Sequence, residues 1–531
     1  MSEITQAQRI ETFLKKRHPA HTLNSAEWCF LRKAIEGGHT YVEGNLWKYP
    51  KEEEVVFEAR KKRAGDHHFN VSMLVISAYI GYLFAKEPTK AEKLPQQVLD
   101  FMANADGEGN DIYALAEEIA TWQMGYGIVW VGVDKPAFEV DPTNPLTEAE
   151  EEERGLKPYA YITHPTHVLD GKLVKGKPVW LLVKEDYRDD EGPFDSGEAR
   201  HRFRLWERTQ WTLFTPDPKH PTDFNKMTIT NGSNAIGEVP FVPFRYGKGS
   251  GFSMPGLIAD IAHIDRAIFN KASQLDEIHY AATFPQLRYP YEGDILRETF
   301  DDDGNRSGVE RTAEGEAILT VSLHSVIPYR VSGDNKAAPD YMSPSVEPAK
   351  ELDRSIDRMV ARALSQAFLD GEFGTPGEEQ GGKAAASGVS KSYVFEKLNK
   401  RISAIAGRLE DGLQRVFELV LRWHGISPEQ ATELPQVLDW PDSYEVRSLA
   451  QLIADDIALG GLGIGSKTFA ALVAKETVRR RMPKLEDKLV KQIDTEIDAN
   501  QEALDVARTA MINGEVTEDE DEEKDDDDKT T

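Results

Sequence analysis

Three observations predict an α+β chain, mainly helical. Stretches with apolar residues at three- and four-residue intervals recur from Trp28 to His424. Short apolar or β-branched runs bounded by turn residues cluster between Ile128 and Phe244. Finally, two helical stretches, Leu257–Tyr280 and Pro348–Phe368, flank an insert whose apolar runs are too short for helices.

The first region is helical. Ser25-Ala26-Glu27 opens an apolar-periodic stretch through Trp28, Leu31 and Ile35. A polar turn is expected around Gly37–Pro50, then a charged helix over Glu52–Arg63. Asn70–Ala85 is the next helix and stops before Pro88, because the residue preceding proline is pushed out of helical geometry. Asp111–Met124 is another, ended by Gly125 and Gly127, and Ile128–Val133 follows as a strand. The glutamate-rich Thr143–Gly155 reads as an exposed loop.

Strands are expected at Ala160–Thr163, Val179–Lys184, Arg202–Arg208, Gln210–Phe214 and Met227–Thr230, with a turn at Asp189–Gly197. The region closes on Val239-Pro240-Phe241-Val242-Pro243-Phe244.

Leu257, Ile261, Ile264, Ile268, Leu275 and Ile278 form the stripe of the first flanking helix. Leu352, Ile356, Met359, Ala363 and Ala367 form that of the second. Their outer faces are assigned charges of both signs, among them Asp260, Asp265, Arg266, Lys271, Asp353, Arg354, Asp357, Arg358 and Arg362. A charged helix pair joined through an insert suits a repeated wall element better than a pocket. The insert, Pro285–Pro344, carries strand candidates at Gln286–Tyr289, Ala317–Thr320 and Val326–Tyr329 and a turn at Asp301–Asn305.

Phe373–Gly388 is glycine-rich and polar, composition that favours a mobile loop. Val389–His424 is a long amphipathic helix; Trp440–Ala458, Thr468–Ala474 and Lys484–Asn513 are further helices. Beyond Glu515 the chain is dominated by acids that repel one another, so a disordered tail is expected.

Composition narrows function. The 531 residues carry 91 acids against 63 bases, a formal charge of −28. Tight DNA binding normally needs a basic surface, because neutralised phosphates release counterions. An acidic surface either confers solubility or lets a polyanion pass without sticking. Val71–Ala85, about 15 residues, is shorter than the roughly 20 a membrane-crossing helix needs, so no membrane is expected. The first residues, with Glu3, Arg9 and Glu11, lack a secretory signal pattern. A lone Cys29 excludes an intrachain disulfide and points to a reducing, intracellular origin.

Motifs with chemistry are few. Gly460–Thr468 (GGLGIGSKT) displaces the lysine of a phosphate-binding loop by one position, and reads as a turn between helices. His164 and His167, separated by Pro165, lack a carboxylate to complete a metal set and read as strand-end histidines. His67-His68 point apart in any regular structure. Asp301–Asp303 before Gly304 lacks the alternating ligands of a calcium loop. No hydrolase, zincin, redox or kinase signature is present. The expectation is a protein that is not an enzyme and uses neither cofactor nor metal.

Several segments together resemble the portal proteins of tailed bacteriophages, the head-to-tail connectors. They are Asn70-Val71 through Phe84-Ala85-Lys86-Glu87-Pro88, Gly125-Tyr126-Gly127-Ile128-Val129-Trp130-Val131, Lys157-Pro158-Tyr159, Val239-Pro240-Phe241-Val242 and, more loosely, Gly463–Thr468. The resemblance spans roughly residues 40–480, and its order around the helix–insert–helix–loop core carries it.

It implies a portal fold of wing, stem, clip and crown, assembled as a ring of about twelve copies at one capsid vertex. By segment, 1–250 would be the N-terminal wing, 251–284 and 346–369 the stem helices, and 285–345 the clip. Residues 370–388 would be the tunnel loop, 389–480 the long wing helix and C-terminal wing, 481–513 the crown and 514–531 the acidic tail. Stem packing would fall to Leu257, Ile261, Ile264, Ile268, Leu352, Ile356 and Met359; contact with DNA in the channel would fall to Phe373, Gly374, Lys383 and Ser387. Implied partners are double-stranded DNA passing through without tight binding, the terminase large subunit, head-completion or adaptor proteins, and the capsid and scaffolding proteins. The place would be the virion, reached through the host cytoplasm. Two other readings stay open: a capsid-associated or scaffolding protein that forms no ring, and a nucleotide-dependent enzyme using Gly460–Thr468.

Overall fold

A computed structural model describes residues 6–50, 52–64, 68–136, 155–188, 190, 192, 197–283, 286–291, 298–300, 306–309, 327–330, 338–342, 345–369, 388–441, 443–444, 475, 489, 491–497 and 499. The chain divides into two compact units, Met1–Tyr444 and Glu445–Thr531.

The first unit opens with five helices. These are α1 (Gln6–Lys15), α2 (Pro19–Glu36), α3 (Gly38–Asn45), α4 (Glu54–Ala64) and α5 (Val71–Leu83). Helix α2 starts at Pro19, whose missing N–H costs nothing there, and His18 Nδ1 accepts from Ala20 N at 3.2 Å. It buries Trp28, Leu31, Ala34 and Ile35, as its periodicity predicts. The turn expected around Gly37–Pro50 is instead helical in its first part, with a kink at Glu43 and Gly44. The stretch is polar, but Tyr41, Val42 and Asn45 are buried, and that packing outweighs propensity. Asn70 caps α5 by accepting from Met73 N at 2.7 Å.

Next come β1 (Thr89–Lys90), α6 (Gln96–Ala103), α7 (Ile112–Tyr126) and β2 (Ile128–Asp134). Asp111 caps α7 through Ala114 N at 2.9 Å, and Gly127 ends it in the left-handed conformation. Strand β2 is buried from Ile128 through Val133 because it is the centre of a three-stranded antiparallel sheet with both faces covered. Its partners are β3 (Tyr159–Thr163) and the later β9.

A separate antiparallel meander follows: β4 (Val168–Val174), β5 (Lys177–Arg188), β6 (Ala199–Trp206), β7 (Gln210–Thr215) and β8 (Thr228–Ser233). Strand β4 is not among the strands expected from the sequence; its Asp170-Gly171 sits inside the strand beside a bulge, and the hairpin turn to β5 is Lys175-Gly176. Helix α1 covers this sheet, with Leu14 against Leu169, Leu182 and Phe214. Strand β9 (Phe241–Arg245) returns to β2, where Pro243 faces Trp130. Proline is tolerated there because β9 is an edge strand.

Helix α8 (Ala259–Thr283) leads into an insert whose described residues form five short strands. They are β10 (Gln286–Tyr291), β11 (Glu298–Phe300), β12 (Arg306–Val309), β13 (Ile327–Arg330) and β14 (Asp340–Met342). Helix α9 (Glu347–Gln366) leads out. Then come α10 (Gly388–Trp423), α11 (Pro428–Thr432) and β15 (Leu438–Asp439), which pairs with β1.

Helix α10, 36 residues and about 54 Å long, is the spine of the main core. Leu398, Ile402, Ile405, Leu409, Leu413, Val416 and Val420 are all buried on its inner stripe. Gly412 lets it cross β9 closely, since a Cβ there would lie 2.2 Å from Phe244.

The helix expected over Trp440–Ala458 does not begin at Trp440. Trp440 follows β15 and is buried against α10, and residues 443–444 are not helical; the rest of that span lies outside the described residues. In the second unit the described residues 491–497 are helical, inside the helix expected over Lys484–Asn513. Asp301–Asn305, Ala317–Thr320, Gly460–Thr468, Thr468–Ala474 and the acidic tail lie outside the described residues. Among the described residues, no helix is long and apolar enough to cross a membrane.

Candidate assembly site on the helix pair

The site is built on α8 and α9. The start of α8 is fixed by backbone packing. A Cβ on Gly127 would lie 2.0 Å from Met254 O, and one on Gly256 would lie 2.4 Å from Met124 O. Leu257 N donates to Met124 O at 2.7 Å, and Tyr246 N donates to Gly127 O at 2.8 Å.

From there α8 runs through the core. Leu257, Ile258, Ile261, Ala262, Ile268 and Phe269 are buried. Asp265, expected on the outer face, is fully buried instead. It accepts from Ser72 Oγ at 2.8 Å and from the N–H groups of Ser72 and Val71 at 3.3 and 3.4 Å. It thus serves the exposed donors at the α5 N-terminus, where negative charge is favoured. His68 Nε2 lies 3.8 Å away, and the His68 ring stacks on Tyr41.

Further along, Asn270 accepts from Trp47 N at 2.7 Å and donates to Asn45 O at 2.9 Å. Ser273 accepts from Arg60 Nη1 at 3.0 Å. Arg60 and Glu52 form a buried two-pronged pair at 2.8 Å on each arm, and Arg60 stacks 3.8 Å over Tyr49. The Arg60 hydrogen bonds hold the Glu52 carboxyl below its ordinary range.

Helix α9 is rooted at its other end. Ala363, Leu364, Ala367 and Leu369 are buried there, and Tyr79 Oη donates to Ala367 O at 2.8 Å. Gln286 pairs with Met342 at the insert, while Lys271 Nζ reaches Ser355 Oγ at 2.5 Å further along. The two helices therefore lie side by side, antiparallel. Both are anchored in the core at one end and joined to the insert at the other.

The predicted stem-packing residues divide accordingly. Leu257, Ile261 and Ile268 are already buried in the chain's own core. Ile264, Leu352, Ile356 and Met359 are half-buried. Near the insert, Tyr341 is 71% exposed, and Met342 and Val346 are exposed too. Among the described residues, Asp353, Asp357, Arg358 and Arg362 have no ion-pair partner, whereas Lys350 and Arg354 pair with Glu347 and Glu351 on α9 itself.

In the insert, β10 lies between β13, parallel, and β14, antiparallel, and Arg288 Nε donates to Asp340 at 2.9 Å. The predicted loop residues Phe373, Gly374, Lys383 and Ser387 lie outside the described residues.

His164 sits at the end of β3, its ring edge-on to Trp122 and Tyr126, and burial pushes its pKa down to about 4. His167 lies 3.3 Å from Asp186. Among the described residues no group of His, Cys, Asp or Glu is placed to hold a metal ion.

No protein-family model and no curated protein matches the chain. Solved structures do. One is the neck of an empty gene transfer agent particle computed with sixfold symmetry, at 10% identity and a TM-score of 0.35, covering 82% of this chain and 98% of that one. The virion of a native gene transfer agent particle matches at 9% identity and a TM-score of 0.36, with the same coverage. The neck of the native particle computed with twelvefold symmetry matches at 10% and 0.35, covering 77% and 91%. Likeness at this level carries no argument about function.

Proposed function

We propose that this chain is a portal subunit: about twelve copies close into a ring at one vertex of a tailed-phage-like capsid, and double-stranded DNA enters and leaves through it. The observation that carries the reading is the antiparallel pair α8–α9, rooted in the core and holding the insert at its free end. Helix α8, 25 residues and about 37 Å long, is long enough for a channel wall. Half-buried Ile264, Leu352, Ile356 and Met359, together with the unpartnered charges of α9, are what a neighbouring copy would cover. Repeating one such contact around a closed ring satisfies every copy.

In this reading the protein is a conduit and docking platform, not a motor. ATP hydrolysis belongs to a separate terminase large subunit, which docks on the insert during packaging. Head-completion or adaptor proteins take its place later, and the capsid and scaffolding proteins are further partners. Residues Phe373, Gly374, Lys383 and Ser387 would face the DNA, and the net charge of −28 keeps the duplex from sticking.

Native mass spectrometry with negative-stain imaging tests the proposal. A closed ring of about a dozen copies with a central hole is expected. Monomers at every concentration and ionic strength tried would overturn it in favour of a capsid-associated protein that forms no ring. ATPase activity lost on Lys467→Ala would favour the nucleotide-driven alternative.

A further inference from the structure

We infer that the cleft between the β4–β5 hairpin, the loop after β9 and the outer face of α10 is a binding site for a phosphate group. The cleft encloses about 510 Å³. Its charge is opposite to that of the chain: Lys175, Lys177, Arg245, Lys248 and Arg408 line it in a protein of net charge −28.

Each cation is brought there by local structure. Lys175 and Gly176, at φ +50 and +80, make the tight hairpin turn that sets Lys175 and Lys177 at its tip. Arg245 ends β9, and Gly247-Lys248-Gly249-Ser250-Gly251 follows, a loop with little side-chain bulk to block close approach. Arg408 lies on α10, where its Nη1 is held by Tyr246 O.

Two acids also line the cleft. Glu238 is engaged by Arg415 and Arg422, which leaves Asp411 to face the cations. Among the described residues, Lys175, Lys177 and Lys248 have no ion-pair partner. Arg245 donates Nε to Gly251 O at 3.2 Å, but its Nη2 is buried with no acceptor. Burial lowers the Arg245 pKa, as expected for a guanidinium short of counter-charge. Arg245 thus adds uncompensated positive charge behind the cleft, while the exposed Lys175, Lys177 and Lys248 are the groups that can meet an oxyanion. Three exposed ammonium groups over that charge suit the tetrahedral, multiply charged oxygens of phosphate.

A short polyphosphate and the backbone of a DNA strand both present this chemistry. The inference does not rest on ring formation, since every group belongs to one chain.

Isothermal titration calorimetry of the full chain at low salt, with inorganic pyrophosphate and separately with a short DNA duplex, tests it. Saturable binding is expected, weakened about tenfold or more by the double variant Lys175→Ala/Lys248→Ala. Both lysines are exposed, so the variant keeps its fold, and an unchanged melting temperature verifies this. Binding of pyrophosphate alone identifies a free phosphate compound. Duplex binding that pyrophosphate displaces identifies the nucleic-acid backbone. No binding of either probe, or equal affinity in the double variant, would overturn the inference.

Discussion

Replacing Gly127 with alanine should lower stability by about 3–4 kcal/mol, and the figure follows from geometry. Gly127 has φ +83, a conformation that disfavours any L side chain by roughly 1–2 kcal/mol. Its new Cβ would stand 2.0 Å from Met254 O and 2.7 Å from the Pro255 carbonyl carbon, both backbone atoms that no rotamer change can move away. The segment before α8 must retreat. That strains the hydrogen bonds of Tyr246 N to Gly127 O and Leu257 N to Met124 O, each worth about 1 kcal/mol.

An unfolding entropy of about 2.1 cal/mol/K per residue, taken over Met1–Tyr444, gives roughly 0.9 kcal/mol/K. The melting temperature should therefore fall by about 3–4 °C in differential scanning calorimetry. Gly407→Ala is the control: it sits inside α10 with nothing within 4 Å of the added methyl, and should raise stability by about 0.5–1 kcal/mol. If both variants melt with the parent, the backbone contact that positions α8 is not as tight as described.

Glu52→Gln leaves the buried Arg60 without its counter-charge and should destabilise by about 3–5 kcal/mol in urea denaturation. Because the Glu52 pKa is depressed in the fold, the pair's contribution is present above the ordinary carboxylate range. It is lost as pH falls through the lowered value, so the parent should lose more stability than the variant on acidification. Asp134 behaves oppositely: burial raises its pKa to about 6, against the opposing pull of Arg204 at 3.2 Å. Its ionised form is thus a cost above pH 6, relieved as pH falls toward 4. Asp134→Asn should gain roughly 1–3 kcal/mol at pH 8 and little at pH 4, read from melting curves at both; Arg204 keeps Glu185 at 2.7 Å. Asp265→Ala orphans the donors of Ser72 and Val71 and should cost about 2–4 kcal/mol, with faster amide exchange at the start of α5 as its signature.

Periodicity located α8, α9 and α10 because each has a long apolar stripe, and packing follows that stripe; α5 was legible instead as a near-continuous apolar run that stops before Pro88. It failed where short-range signals conflict with distant partners. Asp170-Gly171 has the form of a turn but pairs with Leu182 and Leu181 across the meander. Asp265 looks like one more outer charge until the fold brings α5 against it, a contact nearly two hundred residues away in sequence. In the candidate site, the helix–insert–helix order was legible. Which face of α8 remains free was not, since that depends on α2, α4 and α5. The basic cleft was missed although the order strand, Gly-Lys-Gly-Ser-Gly, helix was there to be read. Its other lysines come from a hairpin some seventy residues earlier, and only the tertiary fold joins them.

The pairing of Gln286 with Met342 has a consequence for how such a chain diversifies. The two ends of the insert leave the helix pair as neighbours, roughly 5 Å apart at Cα. Any segment whose termini meet at that spacing is compatible with the same two helices. The insert is thus a replaceable cartridge: one segment can be exchanged for another wholesale while the residues that set the rest of the architecture stay untouched. In the laboratory the same junction is the place to graft a tight hairpin or a foreign binding module.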